Sequence, residues 1–168
     1  FPNREVKASM YQHLLATFNH GSRTDTQSFY AHLKRAMDAG DLPKAMDQID
    51  KIFSTIPYQI FDRKRERFFH AVLHLTFQGL GLLTQSEVST ANGRVDCVVR
   101  SKSGIYVLEF KLDDSAAAAL TQIRDNRYGS PYLGGELPVI AVGISFSSQT
   151  KTVAEWEEIP YEQLLTKG

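Results

Sequence analysis

Ile105-Tyr106-Val107-Leu108-Glu109-Phe110-Lys111 is the stretch on which the fold turns. Its β-branched and aromatic density reads as a strand. Side chains alternate along a strand, so Glu109 and Lys111 share a face with Ile105 and Val107. A carboxylate and an ammonium thus end a row of otherwise core-forming residues. Upstream, Ser103-Gly104 makes a tight turn and Arg94 to Lys102 reads as a second strand. Asn92-Gly93 is a strong short hairpin signal, and Leu83 to Thr90 a strand before it. The three strands form an antiparallel meander. Downstream, Ser115 caps an Ala-rich helix from Ala116 to about Asn126, and Tyr128 to Glu136 is loop. Pro138 to Ile144 is a near-continuous apolar run, as in a strand buried on both faces. A strand–helix–strand step of this length is most simply a right-handed crossover to a parallel neighbour. Thr152 to Ile159 reads as a further strand at the edge.

The first sixty residues have the helical period. One stripe is Val6, Met10, Leu14, Leu15 and Phe18; a second, from about Thr26 to Ala39, carries Phe29, Leu33, Ala36 and Met37 and stops at Gly40. A third begins at Pro43 and shows Ala45, Met46, Ile49, Ile52 and Phe53. Asp62 suits the N-cap of a fourth helix through about Gly79. Its apolar set is broad enough to pack against something large. The fold class is therefore α/β (or α+β), a mixed sheet of four or five strands with helices on both sides. Residues 1–61 form a helical N-terminal region and residues 62–168 the second unit.

Composition narrows the function. The 168 residues carry 19 Lys+Arg against 19 Asp+Glu, which disfavours strong sequence-blind binding to nucleic acid but leaves room for a local basic patch. Cys97 is the single cysteine, so no internal disulfide and no cysteine-based zinc site can form. A reducing, cytoplasmic setting is the natural expectation. No apolar run approaches the roughly 18 residues of a membrane span. The charged start, with Arg4, Glu5 and Lys7, is not a signal peptide. A first residue of Phe1 points to a piece of a longer protein.

The chemistry gathers on two adjacent strands. Asp96 sits among Val95, Cys97, Val98 and Val99, just past the hairpin turn. Burying an ion costs several kcal/mol unless it is paired or binds a metal. Two carboxylates can hold Mg²⁺, which favours oxygen ligands and completes its shell with water and phosphate. Lys111 would then steady the attacking water or the developing charge. The plain alternative is a Glu109–Lys111 ion pair on a solvated face, with Asp96 an ordinary residue after a turn.

Gly93-Arg94-Val95-Asp96, then Glu109-Phe110-Lys111, then Gln122 followed by Tyr128, resembles the PD-(D/E)XK nuclease superfamily. The likeness covers about Asp62 to Glu158. It is nearest to the nuclease-like domain found C-terminal to an AAA-ATPase-like domain in bacterial proteins of unknown role. The resemblance implies a restriction-endonuclease-like core and a nuclease acting on DNA with Mg²⁺ (or Mn²⁺). It implies Asp96 and Glu109 as metal-binding acids, Lys111 as the catalytic lysine, and Gln122 beside the reacting phosphate. Arg94, Tyr128 and Arg124 would meet the nucleic acid. Glu66 on the first core helix is the candidate third acid, with His70 one turn on; Glu87 competes for that role. Val95 stands where the eponymous proline would be. The alternative is a catalytically silent module that binds nucleic acid or protein. Either form would work with an upstream ATPase-like domain, and a homodimer is open.

Other features have plainer readings. Arg63, Lys64, Arg65 and Arg67 could meet a phosphate backbone or simply be a solvated helix end. His70 and His74 are read as packing or hydrogen-bonding residues unless Glu66 is a ligand. Trp156 is a core or interface anchor. Cys97 should face opposite to Asp96 as a small buried hydrophobe. The stripes of residues 1–55 could also serve contact with a neighbouring domain or subunit.

Overall fold

A computed structural model describes residues 23–54, 66–80, 82–90 and 93–167, with the side chains of 23–28, 66–67, 78–79 and 83–90 outside that description. The stripe at Val6 to Phe18, the Asp62 cap and the basic cluster at 63–67 lie outside the described residues or side chains. The elements run α1 (Arg23–Ala39), α2 (Leu42–Ser54), α3 (Glu66–Gly79), β1 (Leu83–Thr90), β2 (Gly93–Arg100), β3 (Ile105–Leu112), α4 (Ala116–Asp125), a short 3₁₀ turn (Ser130–Tyr132), β4 (Val139–Phe146), β5 (Val153–Pro160) and α5 (Tyr161–Thr166). The short α5 carries no signal that the sequence reading recognised.

The five strands lie in sheet order β1-β2-β3-β4-β5. β1, β2 and β3 are the antiparallel meander, β3 and β4 run parallel, and β5 returns antiparallel at the edge. Thr90 pairs with Gly93, so Gly93 (φ +141°), which the sequence placed in the Asn92-Gly93 turn, is already the first rung of β2. β3 is central, and its first six residues are buried.

Helices cover both faces. On one, Leu33 and Met37 of α1, Ile49 and Phe53 of α2, and Phe69, Val72 and Leu73 of α3 pack with Leu108, Phe110, Ile144 and Phe146 of the sheet. On the other, Leu120 and Ile123 of α4 and Tyr161 and Leu164 of α5 cover Ile105, Val107 and Ala141. The stripes of α1 and α2 are thus buried on the protein's own sheet, and no break in the described core separates that helical region from the rest. Local chemistry secures the join. Gly40 (φ +71°) ends α1, and Asp41 closes the turn with its N–H on the Ala36 carbonyl at 2.9 Å. The exposed end of α1 is finished by the β2–β3 loop, where the Ser101 and Ser103 hydroxyls both donate to the Met37 carbonyl.

α4 lies close on the sheet because small residues meet there. A Cβ on Gly143 would fall 2.3 Å from the Ala116 carbonyl oxygen and 3.1 Å from the Ala119 Cβ. Gly143 is the β4 partner of Glu109. Ser115 caps α4 by accepting from the Ala118 N–H at 3.0 Å, and Glu155 of β5 accepts from the Ala116 N–H at 2.6 Å.

Candidate functional site

The ladder between β2 and β3 pairs Arg100 with Ile105 through to Cys97 with Leu108 and goes no further. Beyond it, β2 stays paired with β1, through Val95–Val88 to Gly93–Thr90. The pairing of the two central strands thus ends just before Asp96 and Glu109. Side-chain alternation on β2 also breaks there. Cys97 and Val99 pack on the α3 side, whereas Val95 packs on the α4 side with Tyr128. Asp96 sits at that change, so the strict alternation expected for Asp96 and Cys97 does not hold through this point.

Asp96 fills the missing rung. Its Oδ2 accepts the Phe110 backbone N–H at 2.9 Å, a donor that a continued ladder would have given to a β2 carbonyl. Its Oδ1 lies 3.2 Å from His70 Nδ1 of α3. The His70 ring packs on Phe110, with centroids 5.3 Å apart and planes at 57°.

Glu109 is 2% exposed and hence not on a solvated face. Burial first, then the neighbouring Asp96 charge, pushes its carboxyl well above the usual carboxylate range; the Lys111 ammonium pulls the other way. Its Oε2 is buried and has no hydrogen-bond partner. Lys111 Nζ donates to Gln122 Oε1 at 2.5 Å across the α4–β3 contact. Lys111 is therefore held by an amide rather than locked in a self-contained salt link with Glu109.

The structure brings Asp96, Glu109, Lys111 and Gln122 to one end of the central strands and adds His70. Tyr128 and Arg124, expected to meet the nucleic acid, stand elsewhere. Tyr128 is 2% exposed, packed in the α4-side core with its hydroxyl 3.0 Å from where a Gly93 Cβ would stand; it is a core residue, not one that faces a nucleic acid. Arg124 lies two residues past Gln122, about 200° around the helix, so it turns from the site. Its Nε donates to Asp125 at 2.9 Å and its Nη1 reaches the Lys167 carbonyl at 3.5 Å. Arg94 is exposed at the start of β2, opposite Ser89. Glu66 opens α3 one turn before His70, and Glu87 falls opposite Asp96, between the pairs Ser86–Cys97 and Val88–Val95; both side chains lie outside the description. His70, expected to pack or to hydrogen-bond, has its ring on Phe110 and its Nδ1 beside Asp96. Its one legible signal was its position a helical turn after Glu66.

The residues fit a hard divalent cation. The donors are carboxylate oxygens, one of them buried without a partner, and an ion there would replace the proton that burial forces on Glu109. Among the described residues no set of three or more His, Cys, Asp or Glu side chains encloses a metal position, so water would supply the remaining ligands.

Fold and site together define a restriction-endonuclease-like core. The chain belongs to the PD-(D/E)XK nuclease superfamily, whose PDDEXK_9 family model matches residues 64–156 and so spans both acids, Lys111 and Gln122. It is also similar to an uncharacterized protein in the vnfD 5′ region of Azotobacter chroococcum mcd 1, at 28% identity over 159 residues, 91% of this chain. The chain spans 31% of that relative's length. No solved structure matches it. Among the described residues no helix is long and apolar enough to cross a membrane.

Proposed function

We propose that this chain is a Mg²⁺-dependent nuclease that hydrolyses phosphodiester bonds in DNA. The observation that carries the reading is the buried Glu109 carboxyl beside Asp96, one of its oxygens without a hydrogen-bond partner, with the Lys111 ammonium on the same strand. Asp96 and Glu109 would hold the cation, with Glu66 or Glu87 as a further acid. A divalent ion supplies polarisation of a phosphoryl oxygen and makes nearby water more acidic. Lys111 keeps N–H donors beyond the one that Gln122 accepts, and these orient the attacking water and meet the charge that develops on phosphorus-bound oxygen. Gln122 sets where the ammonium sits. Arg94 contacts the DNA backbone at the rim. An upstream ATPase-like domain of a longer protein would present the substrate.

The test is cleavage of plasmid and linear DNA with Mg²⁺, Mn²⁺ and EDTA. Lys111→Ala should lower the rate by about 10²–10³ with metal affinity kept, and Asp96→Asn should lose both. Cleavage that survives EDTA or Asp96→Asn would reject the assignment. A silent binding module predicts instead no binding of Mn²⁺ at millimolar concentration.

A further inference from the structure

The geometry points to His70 as a positioning residue that holds the Asp96 carboxylate in the orientation needed to share a divalent ion with Glu109. This inference rests on the metal-dependent reading above. The β2–β3 ladder ends one residue pair before these acids, so no backbone rung sets their separation. In its place stands a closed circuit of three contacts. The Phe110 N–H donates to Asp96 Oδ2, His70 Nδ1 approaches Asp96 Oδ1, and the His70 ring packs back on the Phe110 ring. Each contact fixes a different freedom. The Phe110 N–H ties Asp96 to β3, His70 stops rotation of the carboxylate about its own axis, and the ring contact keeps the imidazole from swinging off α3.

The circuit also joins two layers, because His70 lies on α3 and the acids on the sheet. Phe69, its neighbour, is 1% exposed in the shared core, so α3 cannot slide without disturbing packing. A carboxylate held this way meets a cation without first losing rotational freedom, which is how hydrogen-bonded neighbours of metal ligands raise affinity. His70 is assigned no contact with the ion or with the substrate.

Mn²⁺ is the probe, with binding to the protein measured by titration calorimetry and by electron paramagnetic resonance for wild type, His70→Ala, His70→Asn and His70→Gln. Asn places an amide N–H close to the position of Nδ1, whereas Gln carries it one carbon too far. His70→Ala should weaken Mn²⁺ binding about 10- to 100-fold. His70→Asn should recover most of the loss and His70→Gln little of it. The wild-type spectrum should show no directly coordinated imidazole nitrogen. Equal affinity in wild type and His70→Ala overturns the inference and leaves the metal site standing. So does a coordinated-nitrogen signal that vanishes in His70→Ala and is not rescued by Asn, which would make His70 a ligand. If His70→Ala fails to fold, equal affinities of the Asn and Gln variants overturn it. Failure of wild type to bind Mn²⁺ at all defeats the metal reading, and this inference with it.

Discussion

Glu109 is held where a carboxylate is least stable, and its proton links folding to pH. In the unfolded chain it ionises near its ordinary 4.5; in the fold, burial and then the Asp96 charge raise that value. Above pH 4.5 the folded state therefore binds more protons than the unfolded state, and stability falls as pH rises. The contribution is whole below the unfolded pKa and fades toward the raised folded one. Metal-free wild type should lose stability from pH 5 to pH 8. Glu109→Gln, which keeps shape without charge, should flatten part of that slope and be the more stable protein at pH 8, by on the order of 1 kcal/mol or more. The same variant should lose Mn²⁺ binding. Thermal unfolding of both proteins across that range checks this, and identical slopes would refute it. Adding Mn²⁺ at pH 8 should stabilise wild type alone, because a ligand that binds only the folded state raises its stability.

At the scale of elements, α4 and β4 set the site through a contact that has no side chain. Gly143 neighbours Glu109 and meets the backbone of α4 at Ala116. Gly143→Ala would place a methyl carbon 2.3 Å from a carbonyl oxygen, so the helix must move. The expected cost is about 1–3 kcal/mol, typical of overpacking. Because Gln122 rides on α4 and holds Lys111, nuclease activity should fall further than Mn²⁺ affinity, which depends on the strands. Chemical denaturation, metal titration and DNA cleavage measured together would show this split. A variant with native stability and native activity would mean that α4 does not govern the lysine.

Across the molecule, one aromatic cluster binds helices to sheet. Phe53 of α2 lies 5.3 Å from Phe69 of α3 and 5.0 Å from Phe146 of β4, centroid to centroid, and Phe146 lies 6.3 Å from Phe110 beside the acids. Val153 of β5 also donates its N–H to Asp50 of α2 at 2.7 Å. With its core continuous, the described part should unfold as one unit. Phe53→Ala should cost about 3–5 kcal/mol and lower a single transition seen alike by far-ultraviolet circular dichroism and Trp156 fluorescence. Trp156 is half-buried on β5 against the same core, so it reports on the sheet. Two separated transitions would instead make the helical region a domain of its own.

The strand meander, the parallel step through an Ala-rich helix, and the placing of Asp96, Glu109 and Lys111 on adjacent strands were legible from residues in line, because period-two patterning, turn residues and capping are local signals; Gln122 came only from the likeness to the nuclease superfamily. β1 has the bounds that the pattern sets, and Ser115 does cap α4. What only the tertiary structure decided depends on elements far apart in the chain. The central ladder stops short of the acids and leaves Glu109 a partnerless oxygen. His70 is brought from another layer to Asp96. Tyr128 is drawn into the core and Arg124 is turned toward α5. Local patterning sets which face a side chain takes only while the ladder runs on; how far two strands stay paired, and which way Asp96 turns where they part, is settled by packing across layers, which no short window of sequence contains.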